Sequence, residues 1–453
     1  MQYPIWDVPV LGGGMVIAII AIVHVTIAHF AVGAGLFTAV TEWKAVRQNN
    51  PVLRRFLIDY SRFLILISFV LGALTGVGIW FSIALVSPEA TSTLIHQFVW
   101  GWATEWVFFL IEIVSGYVYY YTWNRMPDRS HNIVGWIYAI AAFLSLVVIN
   151  GILAFMLSPG RWVETHNFWD GFFNPTYWPS LFLRTISALS LAAIFVTISA
   201  NLAQGYTREE RHEIITEGGR WLIPLALMIP VSFWYFARVP LDARELIQGR
   251  AIAMMMFFMF GLSASTLVAL YAYFGLILKR RFINLETSVL LGLIAFLATG
   301  SMEFVREGIR KPYIIYDYMY SNGIRVSDVE RLNREGVLSW APWTALKAGN
   351  TLAALTPDQR GEALYRAQCL RCHTLDGVNG IKPLIKRWPE SSIRQTLETL
   401  HVEHYYMPPF VGPEKDLQAL TQYLGRLSRD QSAGGIGKKP ASESPQSGKE
   451  KSS

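Results

Sequence analysis

The chain has 453 residues, of which 52% are hydrophobic and 16% charged, whereas soluble proteins carry roughly 25% charged residues. With 16 Trp, 26 Phe and 20 Tyr and a mean hydropathy of +0.32, this composition excludes a water-soluble protein, a disordered chain and a nucleic-acid-binding module. The net charge of +6 must be placed loop by loop before it says anything about partners, and two cysteines three positions apart exclude a disulfide framework.

A membrane helix needs about 20 mainly apolar residues. Eight such stretches are predicted, at 14–40, 63–86, 97–122, 133–157, 179–203, 221–238, 251–278 and 287–305. No basic segment precedes the first, so it is expected to stay as a helix rather than act as a cleaved signal. The links after the first, third, fifth and seventh stretches hold Lys44, Arg47, Arg54, Arg55, Arg62, Arg125, Arg129, Arg208, Arg211, Arg220, Lys279, Arg280 and Arg281. The opposite links hold only Arg161, Arg238, Arg244 and Arg250. Positive charge marks the cytoplasmic side, so both termini are expected outside. Trp162, Phe168, Trp169, Phe172, Phe173, Tyr177 and Trp178 crowd one outer link. They read as an interfacial belt or as a lid over an outer site.

Ionisable residues inside a membrane are functional candidates, because burying them is expensive. His24 and His29 fall in the first stretch, Glu105 and Glu112 in the third, and Arg184 in the fifth. At 1.5 Å per residue, His24 and Glu105 sit about 15 and 12 Å from the outer ends of their helices. Glu105 and Glu112 are seven apart, hence on one helix face. Such a ladder suits proton delivery to a buried redox centre, or holds the bundle together by interhelical hydrogen bonds. His24 and His29 lie about 140° apart around the helix, so both cannot face one haem. Arg184 could snorkel, pair with Glu303 or hold a haem propionate.

After residue 305 the apolar runs stop. Residues 311–355 read as an outer linker with one short helix, capped by Ser327 and Glu330 and stopped at Gly336. Thr356, Pro357 and Gln359 start another helix that leads into Cys369-Leu370-Arg371-Cys372-His373. This is the C-x-x-C-H haem attachment pattern: two thiols add to two vinyl groups, and the adjacent imidazole becomes an axial ligand. A zinc site would need a second ligand pair. Met407, before Pro408-Pro409, is the candidate sixth ligand, with His401 or His404 as alternatives; thioether ligation raises the potential. Residues 431–453 are rich in Ser, Gly, Lys and Pro and are expected to be disordered.

Residues 356–430 resemble a small class I cytochrome c, in which a Pro like Pro383 supports the axial His. Residues 10–315 resemble subunit I of the cytochrome bd oxidases. His24 with Gly33 and Glu42, Gly72 to Gly76, Phe108 to Glu112 with Trp123 and Arg125, Asn150-Gly151, and Arg310-Lys311-Pro312-Tyr313 carry that resemblance. It implies that His24 ligates a haem b or d and that Glu112 serves a proton path. It also implies a second membrane subunit. The departures are specific. Arg184 stands where the family has the His of its low-spin haem. The loop that binds quinol is cut to Val239–Arg250. Only Glu303 and Glu307 stand near the expected eighth-helix haem ligand, and the ninth helix is replaced by the haem c domain.

The expectation is an all-α protein: a polytopic transmembrane bundle of about eight helices (1–310) with a small extracytoplasmic all-α cytochrome c domain (356–430), in a bacterial cytoplasmic membrane. Cys369, Cys372, His373 and Met407 would hold one covalent haem c. His24, Glu303 and Arg184 would hold a membrane haem, and Glu105 and Glu112 would move protons. The function expected is a respiratory electron-transfer subunit, with a redox partner on the outer side and oxygen or a quinone as substrate. The alternative is a haem-free anchor that docks the cytochrome c domain in a larger complex.

Overall fold

The computed structural model describes residues 2–279, 284–346 and 352–433. Arg280, Arg281 and the tail beyond Ala433 lie outside them. The described chain is almost entirely helical. In the bundle these are α1 (Gly13–Arg47), α2 (Pro51–Val86), the short α3 (Pro88–Gln97), α4 (Val99–Tyr121), α5 (Asp128–Phe155), α6 (Tyr177–Leu202), α7 (Arg208–Arg238), α8 (Ile252–Gly275) and α9 (Leu285–Gly308). Seven are long and apolar enough to cross a membrane; an eighth span is formed if α3 and α4, bent by 84°, count together. Several run longer than the apolar stretches alone. α1 continues to Arg47 and α2 begins at Pro51, because Asn50 caps α2 by accepting from the amides of Val52 and Leu53. Pro224 interrupts α7 with a 3₁₀ segment, Arg220–Leu227.

α1 is the central strut. It packs on α6, α5, α2 and α9. Its closest approach is at Gly33, where an added Cβ would lie 2.0 Å from the Ala188 carbonyl oxygen of α6; only glycine lets the two backbones meet so closely. Phe30, Phe37, Tyr60, Leu191 and Ile194 fill the space on one side. Phe98, Phe155, Trp162, Phe172 and Tyr177 fill it on the other. The aromatic link is therefore mixed: Trp162, Phe172 and Tyr177 are core, while Trp169, Phe173 and Trp178 are exposed.

The stretch between the bundle and the C-terminal domain is more than a linker. Tyr313–Ile315 (β1) and Met319–Tyr320 (β2) form a small antiparallel hairpin, which the all-α expectation did not include. Ile315 and Met319 pack into the bundle core with Phe155 and Trp162. Next come α10 (Val329–Glu335), and then Val337, whose core with Ile324 and Leu332 includes Ala367 and Val411 of the C-terminal domain. Ser327 does not cap α10. A 3₁₀ turn occupies Val326–Asp328, and the helix starts after Asp328 without a side-chain cap bond. Gly336 ends it as expected, at φ 87°. The C-terminal domain is a helical core of α11 (Pro357–Gln368), α12 (Glu390–Glu398) and α13 (Glu414–Ala433). The Thr356–Gln359 capping box is formed, and Leu364, Tyr365, Leu420 and Leu424 are buried inside.

Candidate functional site

α11 ends at Cys369, and the chain turns through Cys372 and His373, held by the amides of Cys372 and His373 donating to the Cys369 carbonyl. His373 Nδ1 lies 3.0 Å from the Asn379 carbonyl oxygen. A carbonyl only accepts, so Nδ1 carries the proton and Nε2 is left with its lone pair, the tautomer an axial ligand needs. Asn379 is itself anchored by its side-chain amide to the Cys372 carbonyl, and the Tyr365 hydroxyl donates to the His373 carbonyl at 2.7 Å. The residue that orients the histidine is thus Asn379, not Pro383. Burial pushes the Cys369 thiol up to about 12 and lowers the His373 imidazole, with Lys311 adding to the second effect. Met407 sits in the turn before α13. Its carbonyl is 2.9 Å from His401 Nδ1, and His401 packs edge-on against Tyr320.

The haem-attachment turn is bolted to the bundle. Arg371, between the two cysteines, makes a buried ion pair with Glu89 of α3. The second Glu89 oxygen accepts from the Tyr3 amide. Lys311 Nζ lies 3.9 Å from Cys372 Sγ. The amino-terminal segment closes the seam, with the Gln2 amide on the Trp340 carbonyl and the Val378 amide on the Val10 carbonyl. Glu89, Arg371 and Gln2 were missed in the sequence. A Glu beside an outer link and an Arg inside C-x-x-C-H carry no signal until the fold joins them.

Inside the bundle, His24 Nδ1 is 3.0 Å from Thr75 Oγ1. The Thr75 proton is committed to the Leu71 carbonyl at 2.7 Å, so the hydroxyl accepts from His24, with the Gly72 backbone as a further partner of the ring; a neutral ring protonated on Nδ1 keeps its lone pair on Nε2. Gly76 leaves room for the ring: a Cβ there would lie 3.2 Å from His24 Cε1. The residues at His24 therefore fit an iron-porphyrin ligand. Those at Arg184 do not supply one. Its guanidinium pairs with Glu303 at 3.8 Å, and Glu303 also accepts from Arg306 at 2.8 Å. Of the roles open to Arg184, the pair with Glu303 is the one formed.

Glu105 and Glu112 share the face of α4 that packs on α5. Glu105 accepts from Ser145 at 3.0 Å, and Glu112 is buried within electrostatic reach of Tyr138. The same antiparallel register continues inward. His131 Nε2 lies 2.8 Å from the Tyr119 carbonyl and Nδ1 lies 2.6 Å from Glu42. Seven residues along each helix separate the rungs, about 10 Å.

Fold and site together define a membrane-embedded haem electron-transfer protein. Residues 15–235 match the family model described as cytochrome bd terminal oxidase subunit I. Residues 356–424 match cytochrome c oxidase, cbb3-type, subunit III. No curated protein matches the chain. Among solved structures, the bd oxidase from Geobacillus thermodenitrificans has a similar fold, with a TM-score of 0.60 at 16% identity over 75% of this chain and 96% of that one. The chain thus joins a multi-pass membrane domain similar to cytochrome bd subunit I to a C-terminal domain similar to the cbb3-type subunit III cytochrome c. Both matches imply haem binding, with a haem c in the second.

Proposed function

We propose that this chain passes electrons between an outer haem c and a haem in the bundle, as a subunit of a respiratory oxidoreductase. The observation that carries this reading is the buried Arg371–Glu89 pair. It fixes the haem-attachment turn on the bundle, as a wire into the membrane requires and a tethered shuttle does not. Cys369 and Cys372 would hold the haem c through thioethers, with His373 and Met407 as its ligands, and His24, held by Thr75, would ligate a haem in the bundle. The bound haems supply one-electron chemistry at tuned potentials. Glu112 and Glu105 hold protons at two depths, with Ser145 as a hydrogen-bond partner. Waters must bridge the 10 Å between rungs, since a direct hydrogen bond spans about 3 Å. The Lys and Arg distribution supports a topology with the Glu42–His131 end on the cytoplasmic side and the haem c domain outside the cytoplasmic membrane of a bacterium. Oxygen is the final acceptor in an oxidase; a quinone and a second membrane subunit are the partners the family suggests, with a redox protein on the outer face.

The competing reading, a haem-free anchor, draws on the Arg184–Glu303 pair, which fills the place of a lost haem ligand. A haem count separates the two. Detergent-purified protein should show one haem c together with b- or d-type haem in a pyridine haemochrome spectrum, and His24→Ala should remove a non-c component while leaving haem c intact. Haem c alone in the wild type would overturn the proposal in favour of the anchor.

A further inference from the structure

The C-terminal domain meets the bundle a second time, at the turn that carries Met407. That turn is closed on itself. The Met407 amide donates to the His404 carbonyl at 2.7 Å, and the Met407 carbonyl accepts from His401 Nδ1 at 2.9 Å. Downstream it is tied to its own domain: the Val411 amide donates to the Gln368 side chain and the Val411 carbonyl accepts from it, both at 2.9 Å. Upstream the anchors come from the bundle side. Tyr405, two residues before Met407, packs into an apolar cluster of Leu157, Val239, Leu246, Val305 and Ile309. These residues stand at the outer ends of α5 and α9 and in the link between α7 and α8. Arg250 of the same link lies over the Tyr405 ring, 4.9 Å from its centre, within cation–π range. His401 packs edge-on against Tyr320 of β2, with ring centres 5.9 Å apart.

The seat is braced. Arg250 is held by Glu245 at 2.6 Å, and the Tyr316 hydroxyl, in the hairpin turn, donates to Asp242 of the link at 3.2 Å. The Tyr405 hydroxyl is buried without a partner. An orphaned hydroxyl costs free energy, so the ring is held for its apolar faces and its contact with Arg250 rather than for a hydrogen bond.

A loop keeps one position only where contacts pin it. The two bonds inside the Met407 turn fix its shape but not its place. Gln368 places one side of it; Tyr405 and His401 place the other. The position of the thioether therefore depends on the bundle as well as on the domain that contains it. Axial ligation and the groups that orient the ligands set a haem's potential.

We propose that the α7–α8 link and the β1–β2 hairpin form a seat for the Met407 turn, with Tyr405 and His401 as positioning residues that keep Met407 in its ligating place. Contact with the bundle then sets the potential of haem c. Thioether ligation raises that potential, so a turn released from its seat lowers it. This inference rests on the reading of Met407 as sixth ligand, and the test keeps the two apart.

The full chain is purified in detergent as wild type, Met407→Ala, Tyr405→Ala, Tyr405→Phe and Tyr320→Leu. Haem c per protein, the sulfur-to-iron charge-transfer band of the oxidised haem c and its midpoint potential are measured. The wild type should show the band and Met407→Ala should lose it. Tyr405→Ala should keep its haem c, weaken the band and lower the potential towards that of Met407→Ala. Tyr405→Phe, which keeps the ring and drops the orphaned hydroxyl, should restore both. Tyr320→Leu should move both in the same direction by less, although it alters no residue of the C-terminal domain; it decides the question if Tyr405→Ala fails to retain haem c. A wild-type band and potential in Tyr405→Ala and Tyr320→Leu, beside a lost band in Met407→Ala, would overturn this inference alone. A wild type without the band, or a Met407→Ala variant that keeps it, would overturn the ligand reading and this inference with it.

Discussion

In the C-terminal domain, Cys369, Cys372 and His373 lie in one turn, and the carbonyl that orients His373 is six residues away. In the bundle, His24 is oriented by a hydroxyl 51 positions away on another helix. The first arrangement survives any rearrangement that preserves one turn; the second exists only when α1 and α2 are packed. Perturbing the two sites should therefore give different failures. A change in the C-x-x-C-H turn should delete haem c and leave the membrane haem in place. A change in helix packing should degrade the membrane haem by degrees.

The largest effect is expected from His373→Ala, which should abolish the low-spin c-type band while the non-c bands of the reduced spectrum stay at wild-type intensity. Loss of both sets together would show that the sites fold as one unit.

Glu89→Ala comes next. Removing one partner of a buried ion pair costs roughly 3–5 kcal/mol, because the other charge is left uncompensated. Arg371 already has two buried nitrogens without partners, so it has no local substitute. The variant should melt earlier, keep its haem c, and equilibrate electrons between haem c and the bundle more slowly in flash photolysis. An unchanged rate would mean that docking does not set the electron path.

The contrast also explains what could be read in advance. Membrane helices announce themselves by length and apolarity, and C-x-x-C-H by its spacing, so fold class and haem c site were legible. His24, Glu105 and Glu112 were legible as expensive charges in apolar stretches. The groups that hold them in place were not. Thr75, Ser145 and Glu89 are ordinary polar residues whose partners lie on other elements. Asn379 lies in a turn where several carbonyls could serve, and Pro383 was the wrong choice among them. Glu303, expected at a haem, pairs in the fold with Arg184 and Arg306, partners that its place in the sequence does not announce.

Thr75 tests that lesson directly. Valine keeps the shape but removes the acceptor, and residues that orient metal-bound histidines are worth roughly 10- to 100-fold in metal affinity. Thr75→Val should lower haem occupancy at His24 and shift its midpoint potential. Thr75→Ser, which keeps the oxygen, should restore both. If serine and valine behave alike, the hydroxyl is not what holds the ring.

Acid sensitivity should separate the domains before haem is attached. Burial lowers the His373 imidazole below its ordinary 6.5, so below that value the unfolded chain binds a proton that the folded domain resists. Stability is then full above 6.5 and falls as pH drops from there to the folded value. In a maturation-deficient host, the apo C-terminal domain should show this loss in a pH series of thermal melts. His373→Asn should flatten it.

The smallest expected effect is the sharpest on what sequence alone can say. Two capping boxes are written in the outer region, and only one is built. Thr356 accepts from the Gln359 amide while Gln359 accepts from the Thr356 amide. Thr356→Ala should therefore cost about 1 kcal/mol and lower the melting temperature of the C-terminal domain. Ser327, in the same motif on paper, falls inside the 3₁₀ turn that follows Arg325. The hairpin determines this: the Val326 amide bonds the Tyr318 carbonyl and the Asp328 amide bonds the Arg325 carbonyl. Together they hold the chain in a turn where Ser327 cannot be the residue before the first helical one. Ser327→Ala should leave stability within about 0.5 kcal/mol of wild type. Equal losses in the two variants would mean that α10 starts where the local pattern says, and that the hairpin does not govern the segment between the bundle and the haem c domain.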